Sequence, residues 1–135
     1  DSGGKFEDYY AAGLRIRFRE SWLVTERDEL PWKGYGVVDG YPETVLQSLD
    51  VSDVSDTYSL PAGMVNDLGN PRIDQVEVRQ RGKLLELSLI NEDGRGGYHA
   101  FFQVDPLEYR ARRFVKGANE EEHKETHDWT SLRKR

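Results

Sequence analysis

Residues 73–91, IDQVEVRQRGKLLELSLIN, combine two stretches of alternating apolar and polar side chains with a glycine between them. In the second stretch, residues 85–89, leucine alternates with glutamate and serine. Such alternation is typical of a β-strand with one buried and one solvated face, because successive side chains point to opposite sides. Gly82 tolerates the positive φ that a tight turn requires. The segment therefore predicts a β-hairpin.

The same alternation recurs at residues 14–18, LRIRF, and strands are also predicted at residues 98–104 and 109–115. A chain of 135 residues fits one domain with a core of its own. We therefore expect a mainly β fold, a single antiparallel β-sandwich or a partly open barrel, with an α+β fold as the alternative. Residues 5–12 are predicted as a short helix or an entering strand, because their aromatic residues have helical spacing.

The character of the chain changes after Gly117. Residues 118–135 are polar, and Trp129 is the one large apolar side chain before Leu132. Acidic residues come first and basic residues last, which suits the dipole of a helix. We expect a flexible N-terminal tether at residues 1–5, a β-rich domain at residues 6–117 and a polar, partly helical or disordered tail at residues 118–135.

Composition excludes several classes of function. The net charge of −6 argues against nonspecific binding to nucleic acids. No run approaches the roughly 20 apolar residues that a membrane span needs. The absence of cysteine excludes disulfides, thiolate catalysis and cysteine-ligated zinc.

The first residues, DSGGK, have neither an initiator methionine nor an apolar segment. They are typical of a tether that follows a removed signal or a lipid-anchored residue. A cut at a convenient boundary is the alternative interpretation. On the first interpretation we expect a bacterial protein of the periplasm, the cell envelope or the exterior, with a lipid tether as an option.

The segment LDVSDVSD places Asp50, Asp53 and Asp56 close together in sequence, with serines between them. Closely spaced carboxylates and hydroxyls suit Ca²⁺, a hard cation that takes six to eight oxygen ligands. The alternative is a solvated turn in which these side chains bond their own backbone. Calcium is the one cofactor that the sequence suggests.

Histidines and carboxylates are the remaining candidates for chemistry. His123 and His127 are four residues apart, so a helix would place both on one face, as in half of a zinc site. His99 lies in a predicted strand and has neither a nucleophile elbow nor a cysteine to activate. We expect no catalytic residues; a hydrolase that uses carboxylates or His99 is the alternative.

The loop PWKGYGVVDGYP carries Trp32, Tyr35 and Tyr41 among glycines and prolines. Exposed aromatic rings on such loops stack on sugars or contact another protein. Alternatively, the rings of this loop cover the open end of the hydrophobic core. We predict these three residues as the ligand-binding site of a non-catalytic module that recognises a carbohydrate or a protein partner. The other alternative is an assembly subunit that pairs through an exposed edge strand at residues 14–18.

Overall fold

The computed structural model of the protein describes residues 4–23, 31–92 and 94–135. These residues form ten β-strands and three single-turn 3-10 helices. In chain order the elements are β1 (Lys5–Ala11), β2 (Leu14–Trp22), β3 (Thr44–Ser52), β4 (Thr57–Ser59), η1 (Ala62–Met64), η2 (Ile73–Gln75), β5 (Glu77–Arg81), β6 (Leu84–Asn91), η3 (Gly94–Gly96), β7 (Tyr98–Asp105), β8 (Arg110–Gly117), β9 (Lys124–Ser131) and β10 (Arg133–Lys134).

The strands form two five-stranded sheets, ordered β1-β2-β3-β4-β10 and β5-β6-β7-β8-β9. Every pairing between these strands is antiparallel. The sheets do not close into a barrel, so the predicted β-sandwich is confirmed. No helix in the described ranges is long and apolar enough to cross a membrane.

The predicted hairpin is present as β5 and β6. Arg81 pairs with Leu84 across the turn, and Gly82 between them has a φ of 60°. The leucines at alternate positions of β6 face the core, as the alternation predicts. The core is lined by Ile16, Phe18, Leu46, Leu49, Val51, Leu85, Leu87, Leu89, Ala100, Phe102, Val104, Ala111 and Val115, together with side chains from the loops.

The N-terminal segment is the entering strand, one of the two predicted alternatives, and the other alternative, a short helix, is wrong. Strand β1 pairs with β2 along its whole length. Ala12 and Gly13, which join the two strands, both have positive φ values, as tight hairpin turns of the primed type require. A helix this short has little stability of its own, whereas the ladder with β2 satisfies the backbone. Of the predicted tether, residues 1–3 lie outside the described residues, and Lys5 already begins β1.

The polar tail is also β-structure rather than helical or disordered. Strand β9 pairs with β8 in the second sheet, while β10 pairs with β4 in the first. Between them Leu132 is buried, with 9% of its surface exposed, so the tail is anchored where it passes from one sheet to the other. An edge strand contacts the protein on one side only, which is why β9 can be almost wholly polar.

Strand β2 lies inside its sheet, between β1 and β3. The prediction that residues 14–18 form an exposed edge strand is therefore wrong, because the backbone of this segment is paired on both sides. The edges of the first sheet are β1 and β10.

Candidate functional site

The three predicted aromatic contacts lie in one loop but are not equivalent. The Trp32 indole Nε1 donates a hydrogen bond to the Tyr35 carbonyl at 3.2 Å. The Tyr35 ring packs against the core, with its centroid 5.7 Å from that of Tyr98. Tyr41 is half-buried. Tyr35 therefore serves packing, and binding of a ligand by Trp32, Tyr35 and Tyr41 stays a prediction.

Among the predicted metal ligands, Asp50 lies on strand β3 and is 4% exposed. Its Oδ1 accepts a hydrogen bond from the Ser59 hydroxyl at 2.6 Å, and its Oδ2 accepts one from Arg135 Nη1 at 2.6 Å. Both carboxylate oxygens thus have protein partners.

Asp53 and Asp56 lie in the turn after β3. Asp53 Oδ1 accepts the backbone N–H groups of Ser55 and Asp56, each at 2.7 Å, and these bonds lower the pKa of Asp53. The Asp56 carboxylate pairs with Lys134 at 3.2 Å. The described part of the chain has no group of three or more His, Cys, Asp or Glu side chains that could hold a metal ion. Calcium binding at Asp50, Asp53 and Asp56 stays a prediction.

The histidines are arranged differently from the prediction, because the tail is not helical. The His123 Nε2 lies 2.8 Å from the His99 Nδ1, and His99 stands on strand β7 of the second sheet. Burial lowers the pKa of His99, and the charge of His123 lowers it further. The pairing of His123 with His127 on one helical face is therefore wrong, while a catalytic role for His99 stays a prediction.

A different set of side chains lies on the outer face of the first sheet, on the side turned away from the second. We call this set the aromatic–arginine face. Its members alternate along their strands with residues that point inward; on β2, for example, the inward residues Ile16 and Phe18 are fully buried. It consists of Phe6, Asp8 and Tyr10 on β1, Arg15, Arg17 and Arg19 on β2, and Ser48, Asp50 and Ser52 on β3.

The rings on this face are unusually open to solvent. Tyr10 is 73% exposed and Phe6 is 48% exposed. Trp22, at the end of β2, is 53% exposed but lies on the other side of the strand, the side of Glu20. Among the other aromatic side chains of the described residues only Tyr109 is comparably exposed, and its ring stacks on Tyr58. The exposed rings that do not stack on another aromatic ring therefore belong to two adjacent strands.

Successive cavities follow strand β2 across this face. One of about 320 Å³ is lined by Phe6 and Arg19, and the next, of about 380 Å³, also includes Arg19. A third cavity of about 320 Å³ shares Arg15 with the second and ends at Tyr10. Neighbouring cavities share lining residues, and we refer to the three together, from Phe6 to Tyr10, as the groove.

A further cavity of about 380 Å³ lies where β2 ends, lined by Trp22 and Glu20 among others. Glu20 is 7% exposed, and its Oε1 has no hydrogen-bond partner in the described structure, although Lys5 Nζ lies 3.5 Å away. Its other carboxylate oxygen accepts a hydrogen bond from the Thr44 hydroxyl.

At the centre of the groove Arg17 is held rigidly. Its Nε and Nη2 donate to the two carboxylate oxygens of Asp8 at 2.7 and 2.8 Å. Its guanidinium also lies over the Phe6 ring, 4.0 Å from the centroid. The hydrogen bond from Arg17 lowers the pKa of Asp8, and the same bond raises the pKa of Arg17. Both groups therefore remain charged near neutral pH.

A scan of protein-family models, a search of curated proteins and a search of solved structures each found no match to this chain. Sequence analysis recognised the arginines of residues 14–18 but missed Phe6 and Tyr10. The available signal was the alternation of Phe6, Asp8 and Tyr10, which the helical spacing of the same segment obscured.

Proposed function

We propose that the protein is a non-catalytic binding module that recognises a carbohydrate chain along the aromatic–arginine face. The observation that carries this proposal is the groove itself, which has an exposed ring at each end and arginines between them. Phe6 and Tyr10 are four residues apart on β1, about 13 Å along an extended strand. That separation suits an extended ligand better than a single small molecule.

Sugars present two kinds of surface, and the groove offers a partner for each. The C–H faces of a pyranose ring are apolar and pack against aromatic rings such as those of Tyr10 and Phe6. The hydroxyl groups need hydrogen-bond partners held in place, and guanidinium groups supply several donors in a fixed plane. Arg17 is already oriented by Asp8, so binding costs little further ordering of that side chain.

We further propose a bacterial, extracytoplasmic setting, in the periplasm, the cell envelope or the exterior. A module that holds a polysaccharide chain would meet its ligand there. This choice of setting depends on the carbohydrate proposal.

The test is affinity electrophoresis of the protein through gels that contain soluble polysaccharides, with Tyr10→Ala and Phe6→Ala as variants. We expect at least one polysaccharide to retard the protein, and each variant to bind about tenfold more weakly, which corresponds to ~1.4 kcal/mol. Leu107→Ala is the matched control, because Leu107 is 72% exposed but lies in the turn between β7 and β8.

Retardation that is the same for wild type, Tyr10→Ala and Phe6→Ala would place the binding surface elsewhere. No retardation by any neutral or acidic polysaccharide would contradict the carbohydrate proposal. Circular dichroism of each variant establishes that the fold is unchanged.

A further inference from the structure

The three arginines of the groove occupy different electrostatic surroundings. Across the sheet, Arg17 lies between Asp8 on β1 and Asp50 on β3. With Arg17 alone, the two carboxylates would give this middle row a net negative charge. Asp50 is itself paired with Arg135, so no carboxylate of the row is left without a cation.

Arg15 and Arg19 stand in rows that contain no acid. Arg15 pairs across the sheet with Tyr10 and Ser52. The corresponding neighbours of Arg19 are Phe6 and Ser48, on the same two strands. Neither guanidinium forms an ion pair or a hydrogen bond with any residue in the described ranges, and each stands beside an exposed ring; the Arg19 guanidinium lies 5.6 Å from the centroid of the Phe6 ring.

Two polar atoms in these outer rows lack the partners that shielded groups normally have. Arg15 Nε and Ser48 Oγ are both shielded from solvent and have no hydrogen-bond partner among the described residues. Shielded polar side-chain atoms are usually hydrogen-bonded in native proteins. The outer rows therefore hold polar groups whose hydrogen-bonding capacity the described residues leave unused.

The local charge also differs in sign from the whole protein. The net charge of the chain is −6, yet the central cavity is lined by four arginines and two aspartates. Those aspartates, Asp50 and Asp56, are paired with Arg135 and Lys134. A distant polyanion is repelled by the chain as a whole, so an anionic ligand must be recognised by close contacts in the groove rather than by the general field.

We propose that the carbohydrate is anionic, a polysaccharide whose carboxylate or sulfate groups contact Arg15 and Arg19 while its sugar rings pack on Tyr10 and Phe6. This inference rests on the proposed function and adds the chemical class of the ligand. Arg15 and Arg19 are about 13 Å apart along β2, so the two arginines contact anionic groups on different sugar units of one chain.

The test uses pairs of polymers that share a backbone and differ in charge: polygalacturonate with its methyl ester, carboxymethylcellulose with hydroxyethylcellulose, and dextran sulfate with dextran. Titration calorimetry at 150 mM salt compares the wild-type protein with Arg15→Gln/Arg19→Gln. We expect the anionic member of at least one pair to bind at least tenfold more tightly than its neutral counterpart. The double variant should lose that preference.

Arg79→Gln/Arg81→Gln is the matched control, since it removes the same charge from alternate positions of β5 in the other sheet. Its affinity should stay within twofold of wild type. Arg15→Lys/Arg19→Lys keeps the charge but not the planar donors, and an intermediate affinity is expected. If the glutamine double variant fails to fold, Arg19→Gln alone serves, because the Arg19 guanidinium forms no ion pair or hydrogen bond with a described residue and its contact is with the exposed Phe6 ring.

Equal binding of the neutral and anionic members would overturn this inference and leave the carbohydrate proposal intact. Binding of no polymer in any pair would overturn both. Anionic binding that Tyr10→Ala and Phe6→Ala leave unchanged would show attraction to charge alone, which also contradicts the proposed groove.

Discussion

Arg113 donates two hydrogen bonds to Asp67, from Nη1 to Oδ1 at 2.6 Å and from Nη2 to Oδ2 at 2.9 Å. The arginine lies on strand β8 and is only 1% exposed. The same side chain donates to the Met64 carbonyl and to the Thr126 hydroxyl, each at 2.8 Å. One buried guanidinium therefore joins β8 to β9 and to the loop that follows η1.

The first prediction concerns this ion pair. Arg113→Ala should lower the free energy of unfolding by about 3–5 kcal/mol, because it removes four hydrogen bonds and leaves Asp67 without its partner. Asp67→Asn should also be strongly destabilising, since it leaves the Arg113 guanidinium, whose side chain is 1% exposed, without a counter-charge. Urea denaturation measures both. Arg79→Ala, which breaks the exposed pair with Glu77, is the control and should change stability by less than about 1 kcal/mol. If Arg113→Ala lowers the free energy of unfolding by less than about 1 kcal/mol, the prediction is contradicted.

The second prediction concerns the contact of β1 with the segment before β5. The Tyr9 hydroxyl donates to the Ile73 carbonyl at 2.5 Å and accepts the Val76 N–H at 3.1 Å. Tyr9→Phe keeps the ring but leaves both backbone groups without a partner, at a cost of about 1–3 kcal/mol. Tyr10→Phe is the control, because that ring is 73% exposed, and it should leave the urea midpoint unchanged. Equal midpoints for the two variants would refute the role assigned to Tyr9.

The third prediction compares two glycines. A Cβ at Gly69 would lie 2.6 Å from the Tyr35 carbonyl oxygen and 2.7 Å from the Pro42 side chain, so Gly69→Ala should destabilise by about 1–3 kcal/mol. A Cβ at Gly63 would meet nothing within 4 Å, so Gly63→Ala should be neutral or slightly stabilising. Thermal unfolding distinguishes them. A Gly69→Ala protein as stable as Gly63→Ala would show that the loop shifts without strain.

Local alternation was sufficient to predict the hairpin of β5 and β6, because each strand buries one face and the turn requires a residue such as Gly82. Strand β9 carries no such pattern. Its stability comes from backbone pairing with β8. A polar edge strand has the same composition as a polar helix or a disordered tail, so composition does not distinguish them. The N-terminal segment was ambiguous for a related reason, since seven residues admit both periodicities.

The candidate site depends on long-range strand pairing, which local sequence patterns do not reveal. The arginines at residues 14–18 were visible as one face of a strand, but their neighbours are set by long-range pairing. Only the register of β1 with β2 places Tyr10 beside Arg15 and Phe6 beside Arg19. Composition instead favoured the glycine-rich loop as the ligand-binding site, although Tyr35 of that loop packs against the core.

The last prediction is a loss of stability in mild acid. Burial is the main cause that lowers the pKa values of His99 and His127 below the usual value near 6.5, and the positive charges of His123 and Arg113, respectively, add to it. The unfolded chain therefore binds protons before the folded one, so the free energy of unfolding should fall as the pH drops below about 6.5. Carboxyl groups whose pKa is lowered in the folded protein change the free energy of unfolding only below about pH 4.5. Urea denaturation at pH 7.5, 6.5 and 5.5 measures the loss, which should be largely absent from His99→Gln/His127→Gln. A wild-type protein equally stable at pH 7.5 and 5.5, or a double variant with the full loss, would contradict this assignment.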